Sequence, residues 1–179
     1  MRLNATRFVE FARHVPESGK VHFVTRDERA LAEEVSTVFR SFPDAQRQAL
    51  VETWCRALAL LPGAAQCIAW NMPSLRVDGE LVLSILGFRE HNSIFPGPGV
   101  IEALGEKLAG FTTTKGTIHF DRDRPMQSGV LKIIIAARVR EINASFPRPN
   151  GQFKEFYANG RLKAKGKIKP GEKPASRSR

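Results

Sequence analysis

No stretch of this 179-residue chain stays apolar for the roughly 20 residues a helix needs to cross a bilayer, so no transmembrane helix is expected. The opening "MRLNATRFVEFARH" scatters charges where a secretory leader would carry an apolar core, and a cytoplasmic protein is expected. Cysteine is scarce. Two residues, Cys55 and Cys67, are too few for a disulfide framework. No histidine is near either one in sequence, so both read as small buried thiols and not as metal ligands or nucleophiles. Catalytic fingerprints are missing as well. There is no G-x-S-x-G, no His-Glu-x-x-His, no C-x-x-C, no dinucleotide glycine pattern and no G-x-x-x-x-G-K-[ST]. A non-enzymatic protein is the expectation.

Acidic residues are the other shortage: 18 Asp and Glu face 28 Lys and Arg, for a net charge of +10. The imbalance is local. Residues 1–45 hold seven basic and seven acidic side chains, residues 46–147 eleven and nine, and residues 148–179 ten and two. The body is nearly neutral and the basicity belongs to the C-terminal segment.

Hydrophobic spacing then gives an order of elements. Residues 1–43 read as an N-terminal helical extension, with a cap at Thr25 and an apolar stripe of Leu31, Val35 and Val38. It is either packed on the main domain or a separate small interaction element. "PDAQRQALVETWCRALALLPG" predicts a helix capped by Asp44, with Leu50, Trp54, Leu58 and Leu61 on one face. Four strand-like runs follow at 67–70, 74–77, 81–88 and 93–95, separated by Asn71-Met72-Pro73, by Asp78-Gly79 and by Arg89 to Asn92. Asp-Gly between two strands predicts a tight hairpin, because a type I′ turn needs positive φ at both central residues. "PGVIEALGEKLAG" predicts a helix ending at Gly110, "TTTKGTIHF" a short strand, and "RPMQSGVLKIIIAARVREINASF" a last helix. Helix, strands, helix, strand, helix predicts an α+β domain over residues 44–147. It would be an antiparallel meander of three to five strands with helices packed on one face. Residues 148–170 read as a basic hairpin-like arm turning at Asn159-Gly160, and residues 171–179 as a disordered tail.

Several of these segments also carry a family likeness. Met72-Pro73, Glu90-His91, Phe95-Pro96-Gly97 and Lys115-Gly116-Thr117-Ile118 with Phe120 stand in the order found in the YdhG-like domain family, which this region resembles from Pro43 to about Phe146. The resemblance implies an α+β domain. Because some members are described as frataxin-like iron chaperones, it also implies an accessory protein that binds iron or another small ligand. A ferrous site would draw on His91, His119, Glu90 and Asp121, imidazole and carboxylate being suitable ligands. The same histidines also fit a plain turn residue and a plain strand residue. "FYANGRLKAKGKIKPGEK" resembles a single MORN-type unit.

Two other sites come from the residues themselves. In "TTTKGT" hydroxyls surround Lys115, Gly116 and Thr117, a combination able to hold an anion or small polar ligand. Arg138 could add a forked donor, with His91 in the same ligand set. The arm offers Lys154, Arg161, Lys163, Lys165, Lys167 and Lys169 to nucleic-acid phosphates, or else serves as a solubilising arm. Its aromatic residues precede the charges, so base stacking by the arm is not suggested.

Overall fold

A computed structural model describes residues 30–169. Residues 1–29 of the N-terminal extension, Thr25 among them, and residues 170–179, which include the expected tail, lie outside the described residues. The element order is α1 (Glu33–Arg40), α2 (Asp44–Leu60), β1 (Ala65–Ala69), β2 (Met72–Val77), β3 (Glu80–Gly87), β4 (Asn92–Phe95), α3 (Pro98–Leu104), β5 (Ile118–Phe120), α4 (Ser128–Ala144), β6 (Gln152–Phe156) and β7 (Leu162–Lys167). Strands β1 to β5 form one antiparallel sheet in sequence order, and β6 and β7 form a second, two-stranded sheet. The fold is the α+β meander with helices that the hydrophobic pattern predicts.

Side-chain alternation divides the large sheet into two faces. Leu75, Leu83, Ile85, Ile94 and Ile118 are all fully buried and belong to the same core as Leu50 and Trp54 of α2 and Leu131 and Ile134 of α4. Val35 and Phe39 of α1 join that core, with the Phe39 ring edge-on to Trp54 at 5.7 Å. Residues 31–39 therefore pack on the main domain. Gln66 fastens this end, accepting from Ala32 N at 3.0 Å and from Trp54 Nε1 at 2.8 Å.

Two turns show how backbone chemistry sets the meander. Asp78 and Gly79 both take positive φ, 45° and 83°, as the tight β2–β3 turn requires. The β1–β2 turn uses Trp70 and Asn71, at φ 49° and 61°, so Met72 and Pro73 belong to β2 and not to the turn. Pro73 is tolerated because the ladder with β3 begins only at Ser74, so no bond to β3 is lost for want of its N–H. α3 is also shorter than its pattern suggests. It starts on Pro98, breaks at Gly105 (φ 45°) and continues to Leu108 as a 3-10 turn.

A buried polar knot holds the start of β4. Asn92 is fully buried; its Nδ2 donates to the carbonyls of Asp121 and Arg122 at 3.0 and 2.8 Å, and its Oδ1 accepts from Gln46 Nε2 at 2.9 Å. Gln46 also donates to Phe88 O at 2.8 Å, so α2, the end of β3 and the end of β5 meet on two amide side chains. Fully satisfied networks of this kind specify one arrangement of the elements.

The β6–β7 hairpin docks beside α4 and the β2–β3 turn. Asn143 of α4 exchanges two hydrogen bonds with the Phe156 backbone, at 2.8 and 2.9 Å, and Phe156 itself is buried. Gly160 sits so close to Leu61 and Val77 that a Cβ there would lie 2.7 and 3.1 Å from their side chains.

Candidate functional site

On the face opposite Leu83, Ile85 and Ile94 the sheet carries a row of small polar side chains, with Ser74, Ser84 and Ser93 all buried, that ends in aromatic rings. In register across β2, β3 and β4, Ser74 opposes Ser84 and Ser84 opposes Phe95, while Leu86, Ser93 and His119 oppose one another across β3, β4 and β5. Ser74 and Ser84 satisfy each other with a 2.7 Å hydroxyl contact.

The β3–β4 connection closes with a bond from Phe88 N to His91 O at 2.8 Å, so "FREH" is first of all a hairpin turn. That turn lays the His91 ring on the His119 ring of β5, with centroids 4.0 Å apart and planes within 17°. Phe88 stacks on the other side of the sequence turn, 5.2 Å from His91 and within 21° of parallel. Phe88 is 40% exposed, and both histidines are partly exposed. Among the described residues no hydrogen bond holds either imidazole. Burial, and then the neighbouring His91, pushes the His119 pKa below its usual value, so its ring favours the neutral form. Two imidazoles at this separation repel each other if both are charged.

Beside His119 across the β4–β5 ladder lies Ser93. It is fully buried, and among the described residues its Oγ has no hydrogen-bond partner. Leu86 and His119 flank it across the ladder, with His91 and Phe95 two residues away on its own chain. A buried hydroxyl without a partner costs about 1–3 kcal/mol and calls for a reason.

The metal-ligating set from the sequence is brought together only in its histidines. Glu90 is largely exposed and pairs with Arg89 at 3.0 Å, while Asp121 accepts from Asp123 N at 2.8 Å and faces Arg124 at 3.8 Å. Among the described residues no three His, Cys, Asp or Glu side chains group as metal ligands. Imidazole nitrogens coordinate in the ring plane at about 2.0–2.1 Å, so two nearly parallel stacked rings do not aim at one ion.

The anion-binding set is divided. Lys115 is exposed at the tip of a turn closed by Thr114 N to Thr117 O at 2.9 Å, and Gly116 lies over Pro98, 3.7 Å from where its Cβ would be. Arg138 also borders Gly97, but its guanidinium is already engaged, by Nε and Nη2 to Leu81 O and by Nη1 to Glu141 at 2.6 Å. It clamps α4 to β3. His91 lies with the ring stack and not with this group.

Much of the arm's positive charge is spent on the body. Lys154 reaches Asp78 and Glu80 at 3.1 and 3.3 Å and donates to Asp78 O at 2.5 Å; Arg148 pairs with Glu80 at 2.6 Å, Lys165 with Asp78 at 3.4 Å, and Lys163 with Glu155 at 2.6 Å. The Lys154 hydrogen bond, with Lys165 adding to it, holds the Asp78 carboxyl below the usual carboxylate range. Arg161, Lys167 and Lys169 have no ion pair among the described residues.

Sequence reasoning named His91 and His119 but missed Phe88 and Ser93, whose part depends on strand register. Alternation along 91, 93 and 95 was a usable hint.

In comparison with solved structures, the chain is similar to a crystal structure of a Bacillus subtilis protein of the DUF1801 family, YdhG, at a TM-score of 0.58 and 18% identity, covering 64% of this chain and 94% of that one. At that identity the likeness concerns the fold, which is YdhG-like. No family model and no curated protein matches the chain.

Proposed function

With a YdhG-like fold as the premise, we propose that this protein is a non-enzymatic accessory protein that binds a small ligand on the sheet face opposite its helices, at the stacked rings of His91 and His119. One observation carries this reading: two adjacent, partly exposed imidazoles whose nitrogens no described residue claims, beside a buried hydroxyl that no described residue partners either. Iron chaperone activity is the specific form that the family likeness implies. It requires one ring to turn so that both nitrogens face the ion, and Glu90 or Asp121 to leave its present partner.

The test is a thermal-shift screen of the full chain against small organic ligands and, under anaerobic conditions, ferrous ion. A ligand held at about 100 times its Kd adds about 2.7 kcal/mol of stability, a shift of several degrees in Tm. The stabilisation is expected to vanish in a His91→Ala, His119→Ala double variant. A screen without any stabilising ligand, or equal stabilisation of the double variant, overturns the reading.

A second reading rests on the arm. Lys165 and Lys167 lie on one face of β7, with Lys163 at its bulge and Lys169 two residues beyond its end. This segment supports weak contact with nucleic-acid phosphates, with Arg161, Lys167 and Lys169 as the cations not engaged by the body. The MORN-like pattern in the same segment supports a docking role for this hairpin and names no ligand.

A further inference from the structure

The large sheet has two edges, and they are finished differently. Beyond β5 the chain folds back on itself: Thr113 bridges Ile118, and His119 N donates to Thr112 O at 2.9 Å. Beyond β1 there is no further strand among the described residues. β1 reads AQCIA, without the charges or proline that commonly keep an edge from pairing. Apolar side chains are uncovered along it, Ile68 at 38% exposure and Trp70 of the following turn at 74%.

The β1–β2 register gives the bonding capacity of this edge. Ala69 and Met72 flank the two-residue turn Trp70-Asn71, both of whose residues have positive φ, so Ala69 and Met72 exchange both hydrogen bonds. By alternation Cys67 does so with Ser74 and Ala65 with Arg76. The N–H and C=O of Gln66 and Ile68 therefore point outward from the sheet. Gln66 is also where the N-terminal segment arrives: its Nε2 donates to Ala30 O at 2.9 Å, and its Oε1 accepts from Ala32 N at 3.0 Å.

From this we infer that residues 21–25, Val-His-Phe-Val-Thr, dock on β1 as a sixth, antiparallel strand. These five residues are mostly β-branched or aromatic, the types that suit a pleated surface. Setting Phe23 opposite Ile68 places Thr25 opposite Gln66. The four charged residues Arg26 to Arg29 then form a solvated link from the sheet edge to Ala30. In this register Phe23 covers Ile68, Val21 reaches the level of Trp70, and all four outward backbone groups find partners. Opposed residues share a face, so Phe23 and Thr25 join the side on which Gln66 meets Trp54. Pairing with β1 of a second copy would bring five strand residues a side, where stable interfaces engage about 20–30. A segment tethered so close competes at an effective concentration of roughly mM. The inference is independent of the ligand-binding reading.

The experiment is nuclear magnetic resonance on the isotopically labelled full chain. Slow amide exchange is expected at Gln66 and Ile68. A cross-strand contact is expected between the α protons of Val24 and Cys67, which form a non-hydrogen-bonded pair in this register. Phe23→Pro removes the donor opposite Ile68 and should speed exchange at Gln66 and Ile68 about tenfold, with β3 amides unaffected. The variant changes none of the described residues, so β3 is an internal control. Fast exchange at Gln66 and Ile68 in the wild type overturns the inference. Protection that falls on dilution assigns the edge to a second copy and overturns it too. So does protection that survives Phe23→Pro, or a Val24 contact with any other strand.

Discussion

At the scale of single residues, His119 carries the clearest measurable consequence. Its folded-state pKa is lowered by burial and by His91, while in the unfolded chain an imidazole titrates near 6.5. On acidification the unfolded chain therefore takes up this proton first. The stability tied to a neutral His119 is complete above about pH 6.5 and is lost as pH falls toward the folded pKa, below which the loss levels off. Asp78 loses stability in a separate window. Its pKa is also lowered, so its contribution is complete above the ordinary carboxylate value of about 3.9 and is lost as pH falls through the folded one. Urea midpoints measured between about pH 8 and pH 5 should fall in the wild type, and His119→Phe should flatten that slope while leaving the acid transition of Asp78 in place. An unchanged slope in the variant assigns the dependence elsewhere. Residues of this kind are only half legible in a linear reading. His91 and His119 stand out by type, but their stacking follows from the β4–β5 ladder, in which Ser93 faces His119. Ser93 has no distinguishing feature until that register is known.

At the scale of elements, local chemistry foretold the strands well wherever the turn residues were unambiguous. Asp78-Gly79 is the best instance. It went astray at Trp70-Asn71, since Asn-Met-Pro has the composition of a turn while the chain turns one residue earlier and admits Pro73 into a strand. α3 was overextended because Leu108 keeps helical spacing beyond a glycine whose backbone leaves the helix. The arm shows a different limit. Its lysines read as free charges, yet Lys154 meets Asp78 and Glu80, far away in sequence. Lys154, Glu80 and Asp78 are all largely shielded there, with side-chain exposures of 12%, 14% and 29%. Lys154→Met should loosen the hairpin from the β2–β3 turn, strand the two carboxylates beside Arg148 and Lys165, and cost about 1–3 kcal/mol in chemical denaturation. Hydrogen exchange should report faster opening of β6 and β7 with little change in β3. Uniform loss of protection across both sheets would show that the hairpin and the body form one cooperative unit.

At the scale of the whole molecule, the net charge of +10 overstates what a polyanion can meet. Lys154, Lys163, Lys165 and Arg148 are already paired with carboxylates of the chain. If the arm contacts nucleic acid, Lys167→Ser together with Lys169→Ser should reduce the dependence of log K on log salt by about 1.8 for duplex DNA. The same substitutions should leave Tm unchanged, because neither lysine forms an ion pair with another described residue. Equal slopes for the variant and the wild type exclude these two side chains from phosphate contact.

The in-order meander also bears on how the chain acquires its shape. β1 to β4 are joined by turns of two to four residues and pair only with their neighbours in sequence, so each closure is local and should be quick. β5 comes later in the chain, after the α3 excursion, and its pairing with β4 completes the ladder that sets His119 beside His91 and Ser93. The ring column should therefore be among the last features to assemble during refolding and among the first to open under strain.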